Sequence, residues 1–430
     1  MKKLIQLKLK ILAKMILARY KPKVIGITGS IGKTSAKEAV FAVVSGKFNT
    51  RASQKNYNNE IGVPLTIIGS SSAGRSIFAW IRIFLKAGRI ILFKDKNYPE
   101  VLVLEMGVDR PGDMDYLNNI VSCDVGIITT IGQSHMEYFG SFGKIKKEKV
   151  KLIENLKKGG VAILNFDNKA VKDSSILSKS KILSYSLKGA AVLRAENIYI
   201  ANKDFRDEVK SDIKISFDLI YKESKARATL AGSFGDAAVS SALAGVSAGL
   251  AIGISLKEAA QAVSVFRMPP GRMNLIPGIK HTLIIDDTYN SAPQSVISTL
   301  EAIKKIELPD GSFRFAVLGD MLELGSYTEE GHQLVGSKLP EADIDVLVAV
   351  GERSRDIIRG AKKAGMRDEF IFHFGESESA GRFVQERIKQ GDLIFVKGSQ
   401  GVRMEKVVKE IMADPLRAEE LLVRQGKDWK

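Results

Sequence analysis

Short apolar segments alternate with longer amphipathic segments along most of this chain. Residues 24–28 form the first apolar run, and residues 101–105, 125–130 and 161–165 form three more. Continuous apolar runs that are separated by helical stretches are typical of a parallel sheet covered on both faces. The pattern therefore predicts the α/β class, with a central domain built on one parallel sheet.

A second series of apolar runs follows a break at Pro269-Pro270-Gly271. Its runs predict a Rossmann-like α/β domain, and they cover residues 282–286, 313–318, 346–350, 370–373 and 393–396. Alternating positions within residues 186–230 predict a small antiparallel β-insert before this domain. We therefore expect an N-terminal helix at 1–21, a central domain at 22–267 and a C-terminal domain at 268–430.

Composition and charge exclude some classes of function but do not identify a single one. The 430 residues are too many for one ordinary core. Their net charge of +16 suits nucleic acid, an anionic membrane or polyphosphate ligands, or simply a lysine-rich surface. The single cysteine, Cys123, excludes an intrachain disulfide and a cysteine-based zinc site.

Two basic, apolar segments leave two interpretations open. Residues 1–23 place basic and apolar side chains on opposite helical faces, the apolar ones being Ile5, Leu9, Leu12 and Ile16. Residues 77–93 contain Trp80 among arginines. Charges interrupt every apolar run of residues 1–23, so that segment is not a membrane span. Residues 1–20 and 77–93 fit either peripheral contact with a membrane or packing on the protein core.

The glycine-rich turn after the first predicted strand carries the strongest chemical signal. Residues 28–35 read TGSIGKTS, and a helical stretch follows. Glycines let backbone N–H groups approach phosphate oxygens, and a helix N-terminus adds partial positive charge. Lys33 supplies a charge for the outer phosphates of a nucleotide, and Thr34 supplies a hydroxyl for Mg²⁺. The segment predicts a phosphate loop, although its glycine spacing is unusual and a purely structural turn is the alternative.

Further candidates lie where predicted strands end, because open α/β sheets bind ligands there. Glu105 ends its strand and is a natural Mg²⁺ ligand beside a phosphate loop, with a salt-bridged surface glutamate as the alternative. His135 follows the next strand in a glycine-flanked loop. Lys149 lies in a lysine-rich helix, where a solvated side chain is the simpler interpretation.

The predicted C-terminal domain has polar strand ends of its own. Asp286 and Asp287 end its first strand, and two adjacent carboxylates suit a ribose, a metal ion or an amine. Arg272 lies at the expected hinge, where a guanidinium suits a γ-phosphate. Other polar residues at loops after predicted strands are Asn290, Asp320, Glu323, Lys397 and Ser399.

Taken together, these segments resemble the Mur ligase family of ATP-dependent amide ligases, which act in peptidoglycan precursor synthesis. The loop TGSIGKT has that family's own glycine spacing. The similarity covers roughly residues 22–410 and is greatest to the branch that adds D-alanyl-D-alanine to UDP-N-acetylmuramoyl-tripeptide. Besides the loop, the motifs that carry it are residues 58–64 (NNEIGVP), 105–107 (EMG), 286–293 (DDTYNSAP), 319–325 (GDMLELG) with His332, and 397–399 (KGS).

The resemblance implies a role for each matching residue. ATP would be bound by Gly29, Ser30, Gly32, Lys33, Thr34, Ser35, Asp286, Asp287 and Asn290. Mg²⁺ would be held by Thr34, Glu105 and His135. Catalysis would depend on Lys33, His135, Arg272 and Lys149, the last as a carbamylated, anionic group at the metal site. The substrates would contact Asn58, Asn59, Asp320, Glu323, Lys397 and Ser399.

The resemblance also implies a monomeric, cytoplasmic enzyme with UDP-MurNAc-peptide and D-Ala-D-Ala as substrates and no nucleic acid partner. The two basic segments leave open a peripheral location at the inner membrane face. The family's usual UDP-binding domain has no counterpart ahead of the loop, so the sequence does not indicate which residues would bind UDP. A related amide ligase with a lipid-linked or non-UDP acceptor is the second interpretation, and a nucleotide-binding module without turnover is the third.

Overall fold

The computed structural model describes residues 2–54, 57–74, 76–132, 136–201, 214–426 and 429. The chain divides into two compact units, and the main boundary lies between Phe266 and Arg267. Short parts of the segment between residues 199 and 238 are grouped with the second unit.

The first sheet contains strands from the N-terminal half of the chain. They are β1 (Lys23–Thr28), β2 (Thr50–Ala52), β3 (Val101–Glu105), β4 (Val125–Ile128), β5 (Val161–Asn165), β6 (Lys181–Ser186), β7 (Leu193–Ala201), β8 (Lys214–Tyr221) and β9 (Ser224–Ala231). The order across the sheet is β2-β3-β1-β4-β5-β6-β7-β8-β9, and the pairs from β2 to β7 are parallel. The segment expected as a small antiparallel β-insert thus continues this sheet at one edge.

Helices cover the first sheet and bury its central strands. These helices are α1 (Lys2–Tyr20), α2 (Lys33–Ser45), α3 (Gly62–Ile68), α4 (Ile77–Leu92), α5 (Asp113–Ile120), α6 (Met136–Phe139), α7 (Phe142–Glu154), α8 (Lys169–Lys172), α9 (Gly235–Ala251) and α10 (Leu256–Val263). All residues of β3 and β4 are buried. A parallel strand that is covered on both faces needs apolar side chains on both, which is why these strands read as continuous apolar runs.

The centre of the first sheet is packed closely enough to require a glycine in β1. A Cβ atom added at Gly26 would lie 2.6 Å from the sulfur of Cys123 and 2.9 Å from that of Met106. Cys123 is fully enclosed, and this burial raises the pKa of its thiol to about 12. The thiol is therefore part of the core.

The first helix, α1, packs on the first unit through one face. Leu9, Ala13 and Ile16 are fully buried in a cluster that also contains Ile83 and Ala87 of α4. The interpretation that the two basic segments pack on the protein core is therefore confirmed for one face of each helix. Among the described residues, no helix is long and apolar enough to cross a bilayer.

The second sheet follows the boundary and confirms the prediction of a second α/β domain. Its strands are β10 (Asn274–Gly278), β11 (Thr282–Asp287), β12 (Arg314–Gly319), β13 (Val346–Val350), β14 (Ile371–Phe374) and β15 (Leu393–Lys397), in the order β10-β11-β15-β12-β13-β14. Only β10 is antiparallel to its neighbour within the described sheet. Its helices are α11 (Pro293–Lys304), α12 (Thr328–Ser337), α13 (Arg355–Lys363), α14 (Ser377–Arg387), α15 (Glu405–Ile411) and α16 (Ala418–Leu421).

In each sheet there is a position where consecutive connections of the chain lead to opposite sides of the sheet. In the first sheet, β1 lies between β3 and β4, and in the second, β15 lies between β11 and β12. At such a point the loops at the carboxyl ends of neighbouring strands diverge and leave a crevice, where open α/β sheets bind ligands. The carboxyl ends of β1, β3 and β4 therefore define where a site is expected in the first unit.

Close contact between α12 and α13 gives a test of the second unit's packing. A methyl group at Gly336 would lie 1.9 Å from the carbonyl oxygen of Ile357. We expect Gly336→Ala to lower the free energy of unfolding by about 2 kcal/mol or more, because helix backbones would have to move apart. Gly88→Ala is the matched control, since nothing lies within 4 Å of its added Cβ inside α4. The control should gain about 0.5–1 kcal/mol, and equal effects in urea denaturation would contradict the prediction.

Candidate active site

The turn between β1 and α2 is held against the residues that follow β4. Ser30 donates its backbone N–H to the carbonyl of Thr130 at 2.8 Å, and Ile31 donates its N–H to the Thr130 hydroxyl at 2.9 Å. Thr129 donates its hydroxyl to the Ile31 carbonyl at 2.7 Å. A Cβ added at Gly29 would lie 2.0 Å from the Thr129 hydroxyl oxygen, so the approach requires glycine. The loop is thus ordered by the protein alone.

The helix α2 begins after a glycine, which has no side chain that could cap the first backbone N–H groups. Gly32 occupies the N-cap with a left-handed φ of 84°. The first N–H groups of a helix have no intrahelical carbonyl to bind, and here they include those of Thr34 and Ser35. A helix N-terminus of this kind binds anions. The Lys33 side chain folds back over the loop and donates Nζ to the Gly29 carbonyl at 2.8 Å. This hydrogen bond holds the Lys33 ammonium against the same loop.

A hydroxyl and a carboxylate meet beside the loop. Thr34 donates its hydroxyl to Oε2 of Glu105 at 3.0 Å, and Asn58 donates Nδ2 to Oε1 of Glu105 at 3.1 Å. Glu105 is only 3% exposed. Such oxygens are the ligands that Mg²⁺ prefers, and Mg²⁺ usually completes its shell with substrate phosphates and water. The residues therefore fit a cation that arrives with a nucleotide.

The rest of the predicted metal site is only partly described. His135 lies outside the described residues, so its role stays a prediction. Within the described ranges, no group of three His, Cys, Asp or Glu side chains is arranged to hold a metal ion.

Lys149 is buried, so its interpretation as a solvated side chain is wrong. It lies in α7 and is 1% exposed. Burial and the charge of Lys33 lower the pKa of Lys149 to about 7, against the opposing effect of Asp109 and Glu148. A substantial fraction of this amine is therefore uncharged near neutral pH.

Lys151, two residues further along α7, provides a contrast. Its ammonium is paired with Asp115 at 2.6 Å and with Glu148 at 2.8 Å. Desolvation opposes the charge of Lys151, but its hydrogen bonds to these two carboxylates outweigh that effect and raise its pKa. Environment, and not residue type, distinguishes Lys149 from its neighbour.

The paired acids at the end of β11 already have partners within the second unit. Asp286 accepts the N–H of Gly271 at 2.9 Å and the hydroxyl of Thr288 at 2.6 Å. Burial raises the pKa of Asp286 to about 6, despite these hydrogen bonds. Asp287 forms a buried ion pair with Lys397 at 2.5 Å. Both acids thus organise the end of β11, and their assignment to a ribose stays a prediction.

The motifs after β12 and β15 connect loops to one another. Lys397 also donates to the Asn290 carbonyl at 2.9 Å, and the Ser399 hydroxyl accepts the N–H of Leu322 at 2.8 Å. The Nε2 atom of His332 accepts the N–H of Met321 at 2.9 Å. This makes the ring neutral, and burial lowers its pKa. The substrate roles assigned to Lys397 and Ser399 stay predictions.

Asp320 lines an open cavity of about 530 Å³ at the carboxyl ends of the second sheet. Its Oδ1 accepts the N–H of Ser354 at 2.8 Å. Glu323, in the same loop, is exposed and has a left-handed φ of 63°. The cavity can take a small ligand with charges of both signs, because its charged lining residues are Asp320, Glu352, Glu376, Glu378, Arg403 and Lys406.

Two other predicted residues have structural contacts. The Arg272 guanidinium lies over the Tyr289 ring, 4.1 Å from its centroid. Asn59 accepts the N–H of Gly62 through Oδ1 at 3.0 Å, in the turn that leads into α3. Neither contact tests the proposed γ-phosphate or substrate role.

Sequence reasoning missed the threonines that hold the phosphate loop. Thr129 and Thr130 lie at the carboxyl end of β4, and the available signal was that two hydroxyl residues follow an apolar run. The presence of two hydroxyl residues does not show that β4 is the neighbour of β1. The sequence also gave no indication that Asn58 holds the carboxylate of Glu105.

Two domain families match this chain. Residues 88–246 match the Mur ligase middle domain, and residues 271–400 match the Mur ligase, glutamate ligase domain. UDP-N-acetylmuramoyl-tripeptide–D-alanyl-D-alanine ligase from Bacillus subtilis is 29% identical over 94% of this chain and 79% of its own length. The enzyme of that name from Escherichia coli is 26% identical over 93% of this chain and 79% of its own length.

Solved structures show the same architecture. MurF from Acinetobacter baumannii has a TM-score of 0.76 and 25% identity, covering 95% of this chain and 81% of that chain. MurF ligase from Thermotoga maritima in complex with ADP has a TM-score of 0.75 and 24% identity, covering 94% and 82%. Together, the two domain matches establish that this chain belongs to the Mur ligase family.

Proposed function

We propose that this chain is an ATP-dependent, ADP-forming ligase that adds D-alanyl-D-alanine to UDP-N-acetylmuramoyl-tripeptide. One observation carries the proposal: the phosphate loop at residues 29–35 is joined to Glu105 through Thr34. It occurs in a chain that aligns with ligases of this name over more than nine-tenths of its length.

The reaction needs ATP because a carboxylate is a poor electrophile at neutral pH. Transfer of the γ-phosphoryl group to a carboxylate of the tripeptide gives ADP and an acyl phosphate. The dipeptide amine then attacks the acyl carbon, loses a proton and displaces inorganic phosphate to form the amide. Phosphoryl transfer depends mainly on positioning and on stabilisation of charge.

The loop residues supply that positioning. The backbone N–H groups at the start of α2 and the Lys33 ammonium bind the phosphates of ATP. Thr34 and Glu105 would hold Mg²⁺, which when bound neutralises charge on the phosphate oxygens. Because Asn58 already fixes the Glu105 carboxylate, little reorganisation is needed when the nucleotide binds.

A charged dipeptide also matches a feature of the second unit. D-alanyl-D-alanine carries an ammonium and a carboxylate, and the cavity beside Asp320 is lined by acids together with Arg403 and Lys406. A cavity that contains side chains of both charges can bind the ammonium and the carboxylate of one small ligand.

We further infer that Lys149 is carbamylated. Its uncharged amine attacks CO₂, forms an N–C bond and releases a proton, which leaves an anionic carbamate. Burial supplies the uncharged amine, since the pKa of Lys149 is about 7. The charge of Lys33, which disfavours a second cation at this place, favours an anion for the same reason.

The first test is Lys33→Ala in the purified protein. We expect ADP formation with UDP-MurNAc-tripeptide and D-Ala-D-Ala to fall at least about 100-fold, because the charge at the phosphates is lost. Thermal unfolding should be nearly unchanged. Lys147→Ala is the control, since Lys147 is exposed on α7, and it should retain wild-type turnover.

Two results would contradict this proposal. Wild-type turnover in Lys33→Ala would remove the loop from catalysis. Phosphate release by the wild-type protein with another acceptor, and none with the named substrate pair, would replace the proposed substrates.

The second test follows carbamylation by ¹³C NMR under ¹³CO₂ at fixed partial pressure. With a pKa of about 7, Lys149 is about one-tenth uncharged at pH 6 and about nine-tenths uncharged at pH 8. The carbamate signal should therefore increase across this range and disappear in Lys149→Ala. Lys147→Ala should keep the signal. A fully active Lys149→Ala, or a carbamate signal that survives in it, would refute the assignment.

The third test separates the metal role of Glu105 from its structural role. Glu105→Gln keeps a side-chain oxygen but removes the negative charge. We expect the Mg²⁺ concentration for half-maximal rate to rise about tenfold or more, with little change in thermal stability. An unchanged Mg²⁺ requirement would show that Glu105 is not a ligand.

A further inference from the structure

Two neighbouring helices of the first unit are apolar on their outward faces as well as their inward ones. On α4, Phe78 is 80% exposed and Leu85 is 68% exposed. The other exposed apolar side chains of this surface are Ile77, Ile81, Leu92 and Phe93 at α4, with Leu4, Leu7, Ile11 and Met15 on α1. We call this set the α1–α4 face. Isolated exposed apolar residues need no explanation, but a contiguous set of this size does.

The exposed side chains of both helices lie on one surface. Each helix turns about 100° per residue, which places its exposed apolar positions opposite its buried ones. The buried positions of both helices belong to the same core cluster. The helices also touch: Tyr20 donates its hydroxyl to the Ile90 carbonyl at 2.9 Å, and the Lys8 ammonium lies 5.7 Å from the Phe84 ring centroid. Because α1 and α4 are adjacent and pack on the same core, their exposed apolar side chains lie on the same side of the first unit.

The charges on these helices have a single sign. α1 contains six lysine or arginine residues, α4 contains three, and neither contains an aspartate or glutamate. On α1, basic residues lie on both sides of the exposed apolar stripe, as at Lys8 and Lys14. On α4, Arg82 and Arg89 are exposed along one side of it. Lys86 is also exposed, although its ammonium donates to the Gly69 carbonyl.

We propose that the α1–α4 face docks the protein on an anionic lipid bilayer. Phenylalanine and leucine side chains enter the boundary between headgroups and acyl chains, while the flanking lysines and arginines bind anionic headgroups. The helices lie in the interface and do not cross it, in agreement with the absence of a spanning helix among the described residues.

Charge favours a lipid surface over a protein partner. A docking surface for an ordinary helix or sheet mixes both signs at its rim, whereas the two helices that form this surface carry only positively charged side chains beside their apolar stripes. A second copy of the chain would bring like charges together. An anionic bilayer provides both the apolar layer and the opposite charge over the whole length of both helices.

Co-sedimentation with vesicles tests the proposal. The full chain is mixed with vesicles of pure phosphatidylcholine, or with vesicles in which about one-third of the lipid is phosphatidylglycerol. We expect binding to the anionic vesicles only, and weaker binding at high salt. The double variant Phe78→Ser with Leu85→Ser should reduce binding about tenfold or more, and Arg82→Gln with Arg89→Gln should also reduce it.

The matched control is Ile176→Ser with Leu416→Ser, whose side chains are 87% and 95% exposed outside the α1–α4 face. The control should bind vesicles like the wild type. All three double variants should keep wild-type ADP formation, so loss of vesicle binding is distinguishable from failure of the proposed enzymatic function.

Three outcomes would overturn the proposal. Equal binding to neutral and anionic vesicles would remove the role of charge. Unchanged binding by Phe78→Ser with Leu85→Ser would place the contact elsewhere. Absence of vesicle binding, together with a wild-type dimer that this variant converts to monomer in light scattering, would assign the face to a second copy of the chain.

Discussion

The chemistry of the first unit depends on how closely the turn after β1 approaches the end of β4. Gly29 has no room for a side chain beside Thr129, and the adjacent backbone is held by Thr130. This contact fixes where the chain leaves the sheet and therefore where α2 begins. The N–H groups of α2, the Lys33 ammonium and the Thr34 hydroxyl are placed by that single constraint. Glu105 reaches the same place because β3 is the other neighbour of β1.

Buried charge is handled differently in the two units. In the second unit, Asp287 and Lys397 neutralise each other, and removing either would leave the other buried without an opposite charge, at a cost of about 3–5 kcal/mol. In the first unit, Lys149 is near a like charge, Lys33, and burial makes its amine easier to deprotonate. An ion pair stabilises a loop, whereas an uncharged buried amine is reactive. Lys397 is thus suited to a structural role and Lys149 to a chemical one.

Local sequence patterns predict the elements of this fold well and their neighbours poorly. The apolar runs at 101–105, 161–165 and 346–350 coincide with β3, β5 and β13, because a strand covered on both faces must be apolar throughout. Alternation also indicated the outer strands, but not that β8 and β9 extend the first sheet, since an alternating strand does not specify the edge that it joins.

The candidate site was predictable where residues next to one another in sequence act together. The phosphate loop is continuous, and Glu105 was found because it ends a strand. The partners of these residues come from distant segments, so Asn58, Thr129 and Thr130 gave no sign of their contacts. Lys149 shows the same limit: its helix is lysine-rich, and its burial depends on what packs against it. Resemblance to a family, and not the local pattern, indicated that residue.

The enclosed thiol of Cys123 allows local opening of the first unit to be followed by chemical labelling. It is the only cysteine in the chain, and its reactive thiolate form is suppressed by burial against β1. A thiol reagent can therefore modify the protein at this one atom, and only when the core around β1 opens. The labelling rate reports the local opening of the nucleotide-binding unit without a contribution from the second unit. Because β1 leads directly into the phosphate loop, a bound nucleotide that stabilises the loop is expected to protect the thiol as well.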